Sequence, residues 1–206
     1  MNYLRAMTGT KRILVDQCCG AIIDYQDFFL EQLEPRGRGR LRRNMGSFAR
    51  LLAYLRIPTI VTLERPVDRK GEVPAGVMAT LGSAAKVFEK SFFDLTKEKP
   101  IRMHLKRLKK KQIIVAGCET DVCVLQSCLG LLDLGLDVFA VEELLFSSTS
   151  RTEAAVERLK SAGVTFVSYK TLYFELVEAV DDGPHVDKLI ARFGAFPDDL
   201  PEDAEH

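Results

Sequence analysis

Three side chains combine useful chemistry with a suggestive place in the chain: a thiol, a carboxylate and an ammonium, each just past a short apolar run. Cys123 lies in Gly117-Cys118-Glu119-Thr120-Asp121-Val122-Cys123-Val124, ahead of an almost wholly apolar stretch that Gly135 stops. Thr120 is the expected N-cap of a helix there. Cys123 would then stand in its first turn, at about the third helical position. Free backbone N–H groups and the helix dipole favour a thiolate at such a place, and could hold an oxyanion. Asp24 closes the run Ala21-Ile22-Ile23, and Lys90 follows Lys86-Val87-Phe88-Glu89. A carboxylate can take the proton of a thiol, and a nearby ammonium favours the anions that form. Cys118, at a run's end but before the cap, is the second choice of nucleophile. Cys128 reads as core, and Cys18 and Cys19 have no visible partner.

For these groups to meet, the elements beneath them must share one edge. Apolar runs over 21–23, 59–63, 86–88, 113–116, 138–141 and 164–167 have the length and continuity of strands buried on both faces. Helical patterns lie between them. Met45, Phe48, Leu51, Leu52 and Leu55 form a stripe over about 41–56 that ends before Pro58. Pro100 opens a helix with the stripe Ile101, Leu105 and Leu108. Residues 121–134 form a third helix, Ser150-Arg151-Thr152-Glu153 reads as a capping box, and about 171–180 is a last helix. Residues 65–85 read as a loop with a short helix. Alternating strands and helices predict an α/β fold: a three-layer, doubly wound open sheet of about six parallel strands with helices on both faces. Ligands bind such sheets beyond the carboxyl ends of the strands, where Asp24, Glu64, Lys90 and Cys123 fall.

Composition narrows the function classes. The chain of 206 residues carries no formal net charge, so nothing draws it as a whole to nucleic acid or membrane. No apolar run approaches the roughly 20 residues that cross a bilayer. One domain over 1–206 is expected, with its core at about 13–180 and an acidic tail at about 197–206. Five cysteines without CxxC spacing point to free thiols in a reducing compartment. The expected location is the cytoplasm, with the mitochondrion as the alternative because the first residues are basic and free of acids. Three scattered histidines suit no metal site.

The residues also carry a likeness. Ala21-Ile22-Ile23-Asp24-Tyr25-Gln26-Asp27-Phe28-Phe29 resembles the opening motif of isochorismatase-like hydrolases. Phe88-Glu89-Lys90-Ser91-Phe92-Phe93 resembles their lysine motif, and Ala116 to Val124 resembles their cysteine motif. The likeness runs from about residue 13 to 180. It implies that Asp24 is the general base, that Lys90 orients the pair and stabilises negative charge, and that Cys123 is the nucleophile. It places a cis peptide at Glu119–Thr120, aiming N–H groups at the oxyanion. Cys123 would attack an amide-type carbonyl, expel an amine or ammonia and leave a thioester for water to cleave. Members that cleave the vinyl ether of isochorismate typically lack this cysteine. Nicotinamidases of the family carry a DxHxxH metal motif after the second strand. Here that region reads Thr62-Leu63-Glu64-Arg65-Pro66-Val67-Asp68, without histidine, so no metal and no cofactor is expected. The likeness is greater to short members of unassigned substrate, which implies a small-molecule substrate and a homo-oligomer, dimer or larger. Phe29, Glu64, Phe92 and Phe93 are the candidate pocket residues.

Two other readings stay open. One is a binding or scaffold protein on a hydrolase fold, since fold does not dictate activity. The other is RNA binding or cleavage through the basic stretch Arg36 to Arg43, with a second cluster at Lys106 to Lys111.

Overall fold

The structure, a computed structural model, describes residues 11–177; the acidic tail and His185 and His206 lie outside the described residues. Each apolar run is a strand: β1 Cys18–Ile23, β2 Thr59–Glu64, β3 Ala85–Lys90, β4 Gln112–Cys118, β5 Asp137–Phe146 and β6 Thr165–Val167. All neighbouring strands pair in parallel. They form one sheet of six strands in the order β3-β2-β1-β4-β5-β6. The helices are α1 Asp27–Leu30, α2 Pro35–Tyr54, α3 Val67–Lys70, α4 Ala75–Leu81, α5 Lys99–Leu108, α6 Leu125–Asp133, α7 Glu153–Ala162 and α8 Tyr169–Val177.

Strand residues alternate between two cores, as a pleat with period two requires. Ile22, Val61, Ile114 and Phe139 pack with Met45, Phe48 and Leu52 of α2, Val77 of α4 and Leu172 of α8. Ala21, Ile23, Ile60, Val115 and Val138 pack on the other side with Ile101 and Leu105 of α5, Cys128 and Leu131 of α6 and Leu159 of α7. Both faces are therefore covered, and β1, β2 and β4 are buried along their whole lengths. That is why the runs are apolar throughout and do not alternate with polar residues.

The strand order reverses between β1 and β4, so a crevice opens beyond their carboxyl ends. Gly117 lets the two strands meet there. A Cβ at this position would lie 1.9 Å from the Ile23 carbonyl oxygen, and its φ of +121° suits glycine. Gly130 does the same for α6, where a Cβ would lie 2.4 Å from Thr96 Oγ1.

Several local expectations are corrected. The helix expected over 41–56 begins at Pro35, which supplies the fixed φ of a first helical residue, so the Arg36 to Arg43 stretch lies within a helix. Its Arg42 pairs with Asp27 at 3.6 Å. The capping box does not form: α7 starts from Thr152, and no side chain caps it. The stretch 65–85 holds α3, α4 and a 3₁₀ turn over Gly82–Ala84. Among the described residues no helix is long and apolar enough to cross a membrane.

Candidate active site

The ends of β1, β2 and β3 and the turn after β4 converge on one sulfur. Lys90 is the last residue of β3, opposite Glu64 in the β2–β3 register, and Glu64 is the last residue of β2. Asp24 follows β1 in a left-handed conformation with φ of 49°, one that Asp tolerates better than most residues. Its amide donates to the Thr62 carbonyl at 3.1 Å. Its own carbonyl accepts from the Gln26 amide at 2.8 Å. The Cys118 thiol donates to the same carbonyl at 2.9 Å. This fully buried thiol thereby holds Asp24 in place, and burial above all pushes its pKa well up.

Cys123 lies in a π-helical turn, Thr120–Val124, that leads into α6. Glu119, not Thr120, is its cap: the amides of Val122 and Val124 donate to the Glu119 carbonyl at 3.1 and 3.0 Å. The cis peptide is Cys118–Glu119, one bond before the expected Glu119–Thr120. β4 pairs through Cys118 and the turn opens at Thr120, so the chain changes direction between them. Thr120 also loses its expected oxyanion role in this arrangement. Its amide donates to Ser147 Oγ at 2.9 Å, and that hydroxyl donates to Asp121 at 2.6 Å.

The charged groups form two pairs around the sulfur. Lys90 Nζ is 2.6 Å from Asp24 Oδ2, and both side chains are 0% exposed. The other carboxylate oxygen, Asp24 Oδ1, accepts from the Thr62 hydroxyl at 2.8 Å. The same ammonium reaches Cys123 Sγ at 3.4 Å and Glu64 Oε2 at 3.5 Å. Cys123 Sγ donates to Glu64 Oε2 at 2.9 Å. The other Glu64 oxygen pairs with Lys70, whose side chain is 20% exposed against 12% for Glu64. Lys70 Nζ lies 5.4 Å from the Phe29 ring centroid, a cation–π distance.

Charges set the protonation states. Burial tends to lower Lys90, but Asp24 first and then Cys123 and Glu64 outweigh it, so Lys90 is held above its ordinary value and keeps its proton. Burial raises the Asp24 carboxyl, against the pull of Lys90 and Thr62. Burial also tends to raise Glu64, but the hydrogen bonds from Cys123 and Lys70 and the charge of Lys90 bring it below 4.5. The thiol goes opposite to the expected direction. Burial first, then Asp24 and Glu64, push Cys123 well above its ordinary range, with Lys90 opposing. Desolvation beside two carboxylates outweighs the charge of Lys90, and this favours the protonated thiol at rest.

Asp24, Glu64 and Cys123 offer ligand atoms within 4.8 Å of one another, a cluster that could hold a cation. The Lys90 ammonium touches all three and fills that position.

Among the expected pocket residues, Glu64 touches the sulfur and Phe29 stands against Lys70. Phe92 and Phe93, 51% and 55% exposed, lie on the loop after β3. Ser127 ties this loop to α6 by accepting from the Leu95 amide and donating to the Phe93 carbonyl, each at 3.1 Å.

Sequence reasoning missed Gln26, Thr62, Ser147 and Lys70. Gln26 is fully buried and clamps the β2–α3 segment. Its side-chain amide donates to the carbonyls of Glu64 at 3.2 Å and Gly71 at 2.7 Å, and its oxygen accepts from the Glu64 amide at 2.7 Å. The signal for Gln26 was present, a glutamine three residues past a buried strand. Lys70 had none.

A family model described as "Isochorismatase domain" matches residues 18–171. The chain belongs to the isochorismatase family. The secreted isochorismatase effector Isc1 of Phytophthora sojae is 35% identical over 126 residues, which cover 59% of this chain and 60% of that protein. The chain thus spans about three fifths of the length of this relative. Among solved structures, the MAR1 ribonuclease of Caenorhabditis elegans superposes with a TM-score of 0.78 at 26% identity, over 87% of this chain and 92% of that one. The YcaC gene product of Escherichia coli, an octameric hydrolase of unknown specificity, shares the fold with a TM-score of 0.81 at 21% identity, over 90% of this chain and 92% of that one.

Proposed function

We propose that the chain is a cysteine hydrolase that cleaves an amide-type C–N bond of a small molecule through a thioester on Cys123. One observation carries this reading: the Cys123 sulfur lies 3.4 Å from the Lys90 ammonium, which is itself locked 2.6 Å from Asp24. The thiol gives its proton to a carboxylate as the sulfur attacks the carbonyl carbon. Lys90 then balances the negative charge on sulfur and on the oxyanion, in a site where water does not screen it. The amine leaves with a proton, and water hydrolyses the thioester. Asp24 serves as the base in forming the thioester and, with Lys90, as the fixed charge pair of the site. Membership of the isochorismatase family supports hydrolysis, and the cysteine supports amide over vinyl-ether cleavage.

The test is a panel of small primary and secondary amides, read by amine release and by intact mass. Cys123→Ala keeps the fold, loses turnover and forms no acyl adduct. Turnover unchanged in that variant refutes the reading.

A further inference from the structure

Two carboxylates flank the sulfur, and they are placed for different work. Asp24 has both oxygens engaged, by Thr62 at 2.8 Å and Lys90 at 2.6 Å, and is sealed from solvent. Glu64 is at the rim, with its side chain and that of Lys70 partly exposed. Its Oε2 receives the Cys123 S–H at 2.9 Å. Once the sulfur is acylated, that hydrogen is gone, and Oε2 faces the thioester without its donor. A water entering from the rim, on the side where Glu64 is exposed, would hydrogen-bond to Oε2 beside the sulfur and come within about 3 Å of the thioester carbon, the range from which attack proceeds. Asp24 cannot offer this, because no solvent reaches it.

We infer that Glu64 is a catalytic residue of the second half of the reaction, the general base that activates water to hydrolyse the thioester on Cys123. The inference rests on the cysteine-hydrolase reading above. The water oxygen bonds to the carbonyl carbon and its proton passes to the Glu64 carboxylate. The C–S bond breaks, the electron pair stays on sulfur, and Glu64 returns the proton to that thiolate. Acid and thiol are regenerated, no other reagent is needed, and the 2.9 Å S–H to Oε2 contact of the resting site is the end point of the cycle. The charges agree with this order. Glu64 is held low by Cys123, Lys70 and Lys90 against the effect of burial, while the thiol is pushed up by burial and by both carboxylates, so the proton return runs downhill. Lys70 keeps Glu64 ionised, and Gln26 holds the segment that carries both.

The probe is p-nitrophenyl acetate, an activated acyl donor whose leaving group needs no proton. Nitrophenolate release reports acetylation, and intact mass reports the acetyl group on Cys123. In Glu64→Gln the acetylation rate holds or rises, because a charge opposing the thiolate is gone. Hydrolysis of the acetyl-enzyme falls about 10²-fold, the usual contribution of a positioned base, so the adduct accumulates. Glu64→Asp, which keeps a carboxylate, regains part of the hydrolysis. Lys70→Met raises the Glu64 pKa and moves the acid limb of deacylation to higher pH; this variant carries the test if Glu64→Gln does not fold. The inference is overturned if folded Glu64→Gln clears its acetyl group at the wild-type rate, if it is not acetylated at all, or if the acid limb of Lys70→Met does not move. Cys123→Ala separates the two readings. If it is silent while Glu64→Gln deacylates normally, only the role of Glu64 falls; if it still turns over, the cysteine reading falls as well.

Discussion

Two carboxylate–ammonium pairs meet at the Cys123 sulfur, Asp24–Lys90 from β1 and β3 and Glu64–Lys70 from β2 and α3. Their chemistry is alike and their surroundings are not. The first is closed off, with both side chains 0% exposed. The second stands at the rim, 12% and 20% exposed. Coulomb attraction weakens as water enters, and the cost of desolvation falls with it. The closed pair is therefore tightly coupled: Asp24 takes the thiol proton only as the sulfur becomes anionic, so that Lys90 keeps a counter-charge throughout. The rim pair can trade protons and partners at small cost. Within one sulfur's reach the fold supplies a pair closed to water and a pair open to it.

The largest expected effect comes from breaking the closed pair. Lys90→Met strands Asp24 and costs about 3–5 kcal/mol, read by denaturant unfolding. A cost below 1 kcal/mol would mean that the pair is less closed than its burial implies. Next is Gln26→Leu. It leaves the amide and carbonyl of Glu64 and the carbonyl of Gly71 without their partner, at about 1–3 kcal/mol for a buried group left unpaired. It should loosen the rim pair and spare the closed one. Amide exchange speeding up around 64–71 but not at Asp24 would sharpen the contrast, and uniform loss would break it.

The smallest effect is on the rim. Lys70→Met should change stability by no more than about 1 kcal/mol, because the pair is partly exposed. Its mark is on pH dependence. Glu64 in the folded chain is brought below 4.5 despite its burial, by Cys123, Lys70 and Lys90, so its contribution is complete above that value and is lost as pH falls through the lower folded pKa. Without Lys70 the folded pKa rises and the contribution shrinks. The closed pair has the opposite sign at the other end. Lys90 is held above 10.5, so its contribution is complete below that value and is lost as pH rises through the higher folded pKa. Acid and alkaline unfolding of the wild type and the Lys70→Met variant check both directions; only the acid side should differ.

Much of this was legible in the chain. Length and the breaks at Pro58, Gly135 and Gly163 marked the strands, most clearly β1, β2 and β4, because a strand covered on both faces must be apolar along its whole length; β3, with Lys86 and Glu89 and exposed along half its length, gave a weaker run. Asp24, Lys90 and Cys123 were legible as residues that close or follow such strands. Glu64 was visible as a candidate, but nothing local told a carboxylate on the sulfur from one in solvent. Lys70 lies six residues beyond Glu64, on a short helix whose course depends on Gln26, a contact 45 residues apart in the chain. The thiol was misjudged for a similar reason. The helix start could be read locally, but the two carboxylates that raise its pKa come from other strands.

The sequence by itself determined the order of the elements and the strand ends at which Asp24, Glu64, Lys90 and Cys123 fall, since hydrophobic periodicity and strand termini are properties of neighbours along the chain. Only the tertiary structure decided which carboxylate is sealed and which is open, where Lys70 goes, and that the surroundings of Cys123 push its thiol up rather than down. Those are matters of burial and of charges brought together from distant segments, and both exist only once the sheet has closed.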